Sequence, residues 1–489
     1  MGWKEAAEPV LTRMPTVVRP EGHVPFKRKL MWTGGILVLY FFLTNITLLG
    51  IQPDAGEDLF GQFRAILAGE HGSLMQVGIG PIVTASIVLQ LLGGANLLGL
   101  DTDDPRDQVL YQGLQKLLVI VMTALTALPM VFAGEFLPAV GQLQLGGLTL
   151  DHTGVQLLMF SQIFVGGILI LYMDEVVSKW GIGSGVGLFI IAGVSQMLVA
   201  GFLSLSEEGF FYSWYLILTG QTEIGSIVAG DGLYALFLEQ GQLIALATTL
   251  LIFGIVVYAE SVRVEIPLSH SRVKGARGRF PVKLIYASVL PMILVRALQA
   301  NIQFMGQILN AQWAGMPAWL GDYADGQPIG GFFYYTAPIY TPEDWMWWTG
   351  AAQVAAVEWW QILIRISVDL TFMVIGGAIF AIFWVETTNM GPEATARQIQ
   401  GSGMQIPGFR QNVGVVEKVM ERYIPQVTVI GGALVGLLAV WANMLGTIGA
   451  VSGTGLLLAV SITYKLYEEI AEEQMMEMHP MMRQMFGRE

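Results

Sequence analysis

Runs of apolar residues, each about 20 residues long, recur along the whole chain and constrain its fold more than any other feature. A helix of that length spans roughly 30 Å, the thickness of the hydrocarbon core of a bilayer. Hydrophobic residues make up 54% of the chain and charged residues only 13%, whereas a soluble protein is about a quarter charged. The sequence therefore predicts an all-α polytopic membrane protein and disfavours a water-soluble enzyme.

Ten apolar segments are long enough to be predicted as transmembrane spans. In chain order they cover residues 30–50, 73–99, 114–134, 154–174, 184–205, 241–262, 282–305, 365–387, 424–446 and 448–467. The first 29 residues mix Pro, Glu, Arg and Lys and lack the apolar stretch and small-residue cleavage site of a signal peptide. We therefore expect the first span itself to direct membrane insertion.

The lysines and arginines predict the orientation of the spans. Nearly all 25 lie before the first span, after the tenth, or in the loops that precede spans three, five, seven and nine. Loops rich in Lys and Arg stay in the cytoplasm, so both termini are predicted to be cytoplasmic, as an even number of spans requires. The net charge of −13 argues against general affinity for nucleic acid, but it leaves room for a locally basic face.

Three arginines depart from this pattern, and each needs a partner or water because an isolated charge in hydrocarbon is costly. Arg365 has Asp369 one helical turn later, which predicts an intrahelical ion pair near the outer surface. Arg296 lies inside the seventh span with no acid nearby in sequence, so we expect it to face a water-filled cavity or another helix. The third is Arg64, in the loop after the first span.

The sequence offers little for catalysis. It has no cysteine, no Gly-Lys dipeptide of a phosphate-binding loop, and five histidines without the i, i+4 spacing of a helical zinc site. The glycine-rich residues 181–187 match neither a nucleotide-binding motif nor a nucleophile elbow. The spans hold almost no Asp, Glu or His, which disfavours an ion-coupled pump. We expect no enzymatic activity, cofactor or metal.

Residues 53–70 form an unusual segment between the first two spans. Its apolar residues recur at helical spacing, but the stretch is too short to cross a bilayer and has acids at both ends. Periodicity alone favours a helix lying on the outer membrane surface. A half-helix folded back into the membrane is the alternative.

Short strings in one order across nearly the whole chain carry a resemblance to a known family. They are 24–27 (VPFK), 78–85 (GIGPIVTA), 90–92 (QLL), 112–116 (QGLQK), 179–185 (KWGIGSG), 280–283 (FPVK), 406–410 (IPGFR), 422–425 (RYIP) and 453–457 (GTGLL). Each string is weak alone, but the ordered set is highly specific. The chain resembles the SecY family, the α subunits of the Sec protein-conducting translocon, in its archaeal/eukaryotic branch.

The resemblance implies ten transmembrane helices in two pseudo-symmetric five-helix halves around a central pore, with a re-entrant plug helix. The halves correspond to residues 30–205 and 241–467, separated by an external loop at 206–240 and flanked by cytoplasmic segments at 1–29 and 468–489. In this family a ring of apolar side chains narrows the pore midway. The positions that match the ring are Val83, Ile87, Val186, Ile190, Ile293 and Leu458. Without the resemblance they would be ordinary core or lipid-facing aliphatics.

The resemblance also implies a plug and a lateral gate. The plug corresponds to residues 55–67, and its matched positions are Gly56, Phe60, Gly61, Phe63, Arg64, Ile66 and Leu67. The gate, through which apolar segments leave sideways, is the seam between spans two and three and spans seven and eight. Thr84 and Asn301 match its polar positions, and Thr126 stands where some relatives carry Gln. An ordinary interhelical hydrogen bond would explain each of these equally well.

Two long basic loops, 260–283 and 387–423, match the cytoplasmic loops that dock the ribosome in this family, and clustered Lys and Arg suit RNA phosphates. The matched positions are Lys274, Arg277, Arg279 and Arg410. Membrane topology alone would explain their charge, though not the length of the loops. The other implied partners are the small SecE/γ and Secβ membrane subunits, signal-sequence-bearing nascent polypeptides and the lipid bilayer.

The implied function is a protein-conducting channel that moves unfolded secretory polypeptides across the plasma membrane and releases transmembrane segments laterally into it. An apolar ring offers a passing chain no charge or hydrogen bond that would trap it, and the apolarity of a segment decides whether it partitions into lipid. A secondary transporter with two inverted five-span repeats and Arg296 as an anion site is the alternative. The hypothesis of a membrane enzyme is weaker, because the sequence shows no grouped set of acid, base and nucleophile.

Overall fold

The computed structural model describes most of the chain. The described residues are 3–22, 24–52, 64–94, 98–99, 104–133, 136–145, 148–205, 209–221, 231–238, 241–270, 277–285, 290–313, 315–324, 327–349, 357–388, 390–401, 404–405, 413–449 and 451–478.

Helices dominate these residues, with short strands between some of them. The helices are α1 (Trp3–Leu11), α2 (Phe26–Thr44), α3 (Arg64–Leu67), α4 (Gly80–Gly94), α5 (Pro105–Phe132), α6 (His152–Trp180), α7 (Gly185–Leu203), α8 (Phe210–Thr219), α9 (Asp231–Phe237), α10 (Leu243–Ser261), α11 (Leu290–Gln312), α12 (Gly331–Thr336), α13 (Trp359–Thr387), α14 (Pro392–Gly401), α15 (Val413–Leu445) and α16 (Gly453–Met478). The strands are β1 (Gln142–Leu145), β2 (Leu148–Asp151), β3 (Arg263–His270), β4 (Arg277–Lys283), β5 (Asp322–Ala324), β6 (Gln327–Gly330) and β7 (Met404–Gln405).

Each of the ten predicted spans overlaps one long helix, and these helices are α2, α4, α5, α6, α7, α10, α11, α13, α15 and α16. Six helices of the described part, α5, α6, α7, α10, α13 and α15, are long and apolar enough to cross a membrane by themselves. The all-α membrane class is confirmed, while the number of ten crossings stays a prediction. The second span is shorter than predicted, since α4 has 15 residues and the turn at Gly78 (φ +55°) precedes it.

The predicted boundaries were wrong where loops and spans meet. Span seven was placed from residue 282, but β4 extends to Lys283 and α11 begins at Leu290. In contrast, α13 and α15 begin before the predicted spans, at Trp359 and Val413. Three small antiparallel sheets lie in the connections, β1–β2, β5–β6 and β4–β3–β7, and the sequence analysis had predicted none of them.

One large apolar cluster lies at the centre of the helices, and all ten of the span helices contribute buried residues to it. Glycine allows some of these helices to approach closely. A Cβ on Gly377 of α13 would lie 2.6 Å from the carbonyl oxygen of Gly432 on α15. Small residues allow the close van der Waals packing that holds helices together in lipid, where the hydrophobic effect cannot drive helix association.

The N-terminal segment packs across the ends of α5 and α6. Lys4 Nζ pairs with Asp107 Oδ2 at 2.7 Å. Further along, Lys116 Nζ donates to the carbonyl of Pro15 at 3.1 Å, and Lys179 Nζ donates to that of Val17 at 2.6 Å. The lysines at the ends of these spans therefore hold the segment that precedes span one.

Candidate functional site

The six predicted ring positions lie in one apolar environment. Val83 and Ile87 are one turn apart on α4 and therefore share a helix face. The other positions lie on α7, α11 and α16. All six belong to the central cluster or pack against it; Val186 is partly buried, and the other five are buried. The five buried side chains therefore do not face lipid, although Leu457 is nearly as buried as Leu458 and burial fits either register.

The glycine-rich residues 181–187 set the start of α7 and thereby the direction of Val186 and Ile190. Ser184 caps the helix, because its hydroxyl accepts from the Gly187 N–H at 3.2 Å. Asp174 Oδ1 accepts from the Val186 N–H at 2.9 Å. A Cβ on Gly185 would lie 2.5 Å from the Cα of Asp174, so only glycine fits there. The string therefore positions the start of α7.

The end of the predicted plug folds inward. Ile66 is 1% exposed and belongs to the same cluster as the ring positions, while Leu67 and Ala68 are also buried. The carbonyl of Leu67 accepts from the Ile79 N–H at 2.7 Å. The Tyr40 hydroxyl donates to the carbonyl of Ala68 at 3.0 Å. This burial disfavours a helix lying on the membrane surface.

The other plug positions, Gly56, Phe60, Gly61 and Phe63, lie outside the described residues, as does the side chain of Arg64.

Two of the three predicted gate residues meet. Asn301 Nδ2 on α11 donates to Thr84 Oγ1 on α4 at 3.0 Å. The Thr84 hydroxyl in turn donates to the carbonyl of Gly80 at 2.9 Å. The Thr126 hydroxyl instead donates to the carbonyl of Met122 in its own helix, at 2.8 Å. The seam between spans two and seven is thus held by a polar contact to which Thr126 does not belong.

Arg296 lies among buried polar side chains from three helices, so the expectation that it faces another helix is confirmed. Its Nη1 is 3.2 Å from Asp369 Oδ1 on α13 and 2.7 Å from Gln299 Oε1. Its Nε is 3.3 Å from Thr454 Oγ1 on α16. Both charged side chains are 0% exposed. Asn443 Oδ1 accepts from the backbone N–H of Thr454 at 2.8 Å, which extends the network to α15.

The predicted ion pair between Arg365 and Asp369 was wrong, because Asp369 pairs with Arg296. Arg365 donates to the carbonyls of Ala337 and Pro338 at 3.1 and 2.7 Å, and its guanidinium lies 5.1 Å from the centre of the Tyr334 ring. The sequence contained a usable signal, since Asp369 and Glu386 are the only acids of predicted span eight, and Arg296 lies well inside predicted span seven. Charges within membrane spans are expected to pair with one another.

The two basic loops form one sheet. In the β3–β4 hairpin, Arg277 lies opposite Ser269 and Arg279 opposite Pro267 in the strand register. β7, from the loop between α13 and α15, pairs with the end of β3 at Ser269. Segments more than 130 residues apart are therefore neighbours. Lys274 and Arg410 lie outside the described residues.

Comparisons with known proteins agree with this arrangement. The sequence profile of the SecY family matches residues 73–467, and that of the plug domain of Sec61p matches residues 38–72. The chain is 71% identical to the protein translocase subunit SecY of Haloarcula marismortui over 100% of both chains.

Two solved structures are similar over almost the whole chain. One is described as the structure of a protein conducting channel, with 38% identity, a TM-score of 0.78, and coverage of 97% of this chain and 98% of that one. The other is Sec61 in the canine ribosome-channel complex from the endoplasmic reticulum, with 38% identity, a TM-score of 0.76 and the same coverage.

Proposed function

The chain belongs to the SecY family and is a protein translocation channel rather than an enzyme, and from that premise we propose how its residues perform this task. The rival hypothesis of a secondary transporter is not favoured by the family assignment. Its candidate anion site is also unsuitable, because the charge of Arg296 is already balanced by Asp369 at 3.2 Å.

We propose that Val83, Ile87, Val186, Ile190, Ile293 and Leu458 form the constriction of the channel. The observation that carries this proposal is their convergence, from four helices, on the one apolar cluster that also contains Ile66. Aliphatic side chains exclude water and ions when the channel is empty. They also yield to any passing residue without binding it, so the same ring serves polypeptides of every sequence.

The plug, residues 55–67, closes this constriction from the outside. Its support is the burial of Ile66 within the cluster of the ring positions and the bonds that tie Leu67 and Ala68 to α2 and the turn before α4. Displacing the plug exchanges apolar contacts with the ring for contacts with an entering polypeptide.

The lateral gate is the seam between α4 and α11, and the bond between Asn301 and Thr84 holds it closed. A sufficiently apolar segment of the translocating chain gains free energy by passing through this seam into lipid. An Asp, Lys or Arg at the centre of that segment costs about 2.5 to 3.5 kcal/mol in lipid and favours onward passage. Secretory chains and transmembrane segments are sorted by this difference.

The ribosome docks on the face that carries the β4–β3–β7 sheet. Support comes from the register of Arg277 and Arg279, from the joining of the two basic loops, and from the canine neighbour, which is a ribosome-channel complex. Translation then supplies the energy. We place the protein in the plasma membrane with both termini cytoplasmic, assembled with SecE/γ and Secβ subunits and receiving nascent polypeptides that bear signal sequences.

Single-channel recording in planar bilayers tests the constriction. Val83→Asn or Ile190→Asn is expected to give the resting channel a measurable ion conductance, because a buried amide stabilises water between the aliphatic side chains. Ile190→Leu, which conserves the volume, and Leu250→Asn, at a 64% exposed position of α10, are the controls and are expected to stay closed. An unchanged resting conductance in both asparagine variants would contradict the assignment.

A further inference from the structure

The buried charged network lies one helical turn from two ring positions. Arg296 follows Ile293 by three residues on α11, and Thr454 precedes Leu458 by four on α16. The hydrogen bond between Arg296 Nε and Thr454 Oγ1, at 3.3 Å, therefore joins these two helices beside the proposed constriction.

The same guanidinium joins α11 to α13. Its Nη1 is 3.2 Å from Asp369 Oδ1, and Gln299 Nε2 donates to that same carboxylate oxygen at 2.9 Å. Gln299 also donates to the carbonyl of Thr336, so the C-terminal end of α12 is joined to the network as well. The planar fork of an arginine holds its donors in fixed directions, whereas the three donors of a lysine ammonium rotate about a flexible stem and fix the geometry less. Arg296 thereby fixes how α11 is rotated against two neighbours.

Another face of α11 carries the gate contact. Asn301 lies five residues after Arg296, about 140° around the helix, and donates to Thr84 of α4. Opening the seam requires α11 to move away from α4. While Arg296 holds α11 to α13 and α16, α11 can leave α4 only if its neighbours move with it.

Stability alone does not account for this arrangement. A buried ion pair is often no more stabilising than apolar side chains of similar volume, because desolvation offsets the attraction. What the pair adds is a defined geometry. We propose that Arg296 is a positioning residue that makes α11, α13 and α16 one unit and so sets how readily the lateral gate opens. This inference rests on the proposed gate role of Thr84 and Asn301.

The chain has no cysteine, so an introduced pair can report on the gate without background. Thr84→Cys with Asn301→Cys defines the parent, reconstituted as the full chain, and the rate of disulfide formation with a fixed concentration of added copper phenanthroline as the oxidant measures the fraction of time for which the seam is closed. Arg296→Lys in this parent keeps the charge beside Asp369 but loses the fork, and is expected to lower the resting rate at least twofold. Arg296→Met with Asp369→Leu removes both charges, which allows folding but is expected to leave the rate low.

Arg365→Gln is the matched control, because this arginine of α13 contacts the carbonyls of Ala337 and Pro338 and the ring of Tyr334 and none of the residues bonded to Arg296, and its rate is expected to equal that of the parent. An arrested nascent chain with a signal sequence is expected to lower the parent rate. If the nascent chain lowers the parent rate but both Arg296 variants keep the parent rate, the positioning role of Arg296 is overturned while the gate assignment stands. If the parent rate does not respond to the nascent chain, the gate assignment fails, and this inference fails with it.

Discussion

α7 and α10 have the same length and nearly the same hydropathy, but α10 exposes more large apolar side chains than α7, although both helices contribute buried residues to the central cluster. Both have 19 residues and both qualify as membrane spans. α7 buries Leu188, Phe189 and Ile190 in the central cluster. α10 leaves large apolar side chains at the surface, with Leu250 64% and Tyr258 72% exposed. Hydropathy thus identifies a span without telling whether it faces lipid or protein.

Small and polar residues indicate which face of a span packs against protein. A Cβ on Gly201 of α7 would lie 2.5 Å from the Cα of Gly449, in the connection between α15 and α16. α10 reaches the same connection with a hydroxyl, since Thr249 Oγ1 accepts from the Ile448 N–H at 3.1 Å. In lipid, close backbone approach and interhelical hydrogen bonds hold helices together. These residues therefore mark the faces that pack against protein.

The largest effect on the free energy of unfolding is expected where a charged side chain is buried. Arg296→Met leaves Asp369 buried without its cation, and such a loss costs about 3 to 5 kcal/mol. Chemical denaturation in detergent measures the free energy of unfolding. Arg296→Met with Asp369→Leu is expected to recover most of it, because no charge is left unpaired. A single variant as stable as the parent would contradict the buried pairing.

The spans could be predicted from the sequence, whereas most contacts between them could not. Each predicted span overlaps a helix, because apolar length alone specifies a helix in lipid. The pairing of Arg296 with Asp369 is invisible to local sequence patterns, because the two residues are 73 positions apart, whereas Arg365 lies one turn from the same acid. The meeting of Thr84 with Asn301 came from motif matching, while that of the two basic loops in one sheet followed from neither motif nor periodicity.

Paired glycine substitutions sharpen the comparison of α7 with α10. Gly201→Ala is expected to cost about 1 to 3 kcal/mol, because its methyl group would overlap the backbone at Gly449. Gly254→Ala, on α10 with nothing within 4 Å of the added Cβ, is expected to be neutral or to stabilise by up to about 1 kcal/mol. The same denaturation measurement decides between them, and equal effects would remove the distinction between the two helices.

A smaller effect, on the affinity for the ribosome, is expected from substitutions in the two basic loops. Lys274→Glu with Arg410→Glu is expected to weaken ribosome binding by on the order of tenfold, since contacts with RNA phosphates are lost and repulsion is added. Sedimentation at several salt concentrations measures the affinity. Arg13→Glu with Arg19→Glu changes the net charge equally at two exposed sites of the N-terminal segment and is expected to bind as the parent does. Equal affinity of both double variants at every salt concentration would argue against docking at the loops.

The smallest effect is expected at an ion pair that is exposed, the counterpart of the buried one at Arg296. Arg106 Nη2 lies 2.5 Å from Glu8 Oε2, and this hydrogen bond lowers the pKa of Glu8 below its usual value. A lowered pKa in the folded state means that the contribution to the docking of α1 is present at neutral pH and is lost as the pH falls through that value. Hydrogen exchange of the α1 amides, corrected for the intrinsic pH dependence, is expected to show slightly less protection in Glu8→Gln at neutral pH and no difference in acid. Water screens the pair, and the bond from Lys4 to Asp107 remains. A loss of protection as large as that from Lys4→Met would show that exposure does not weaken this pair.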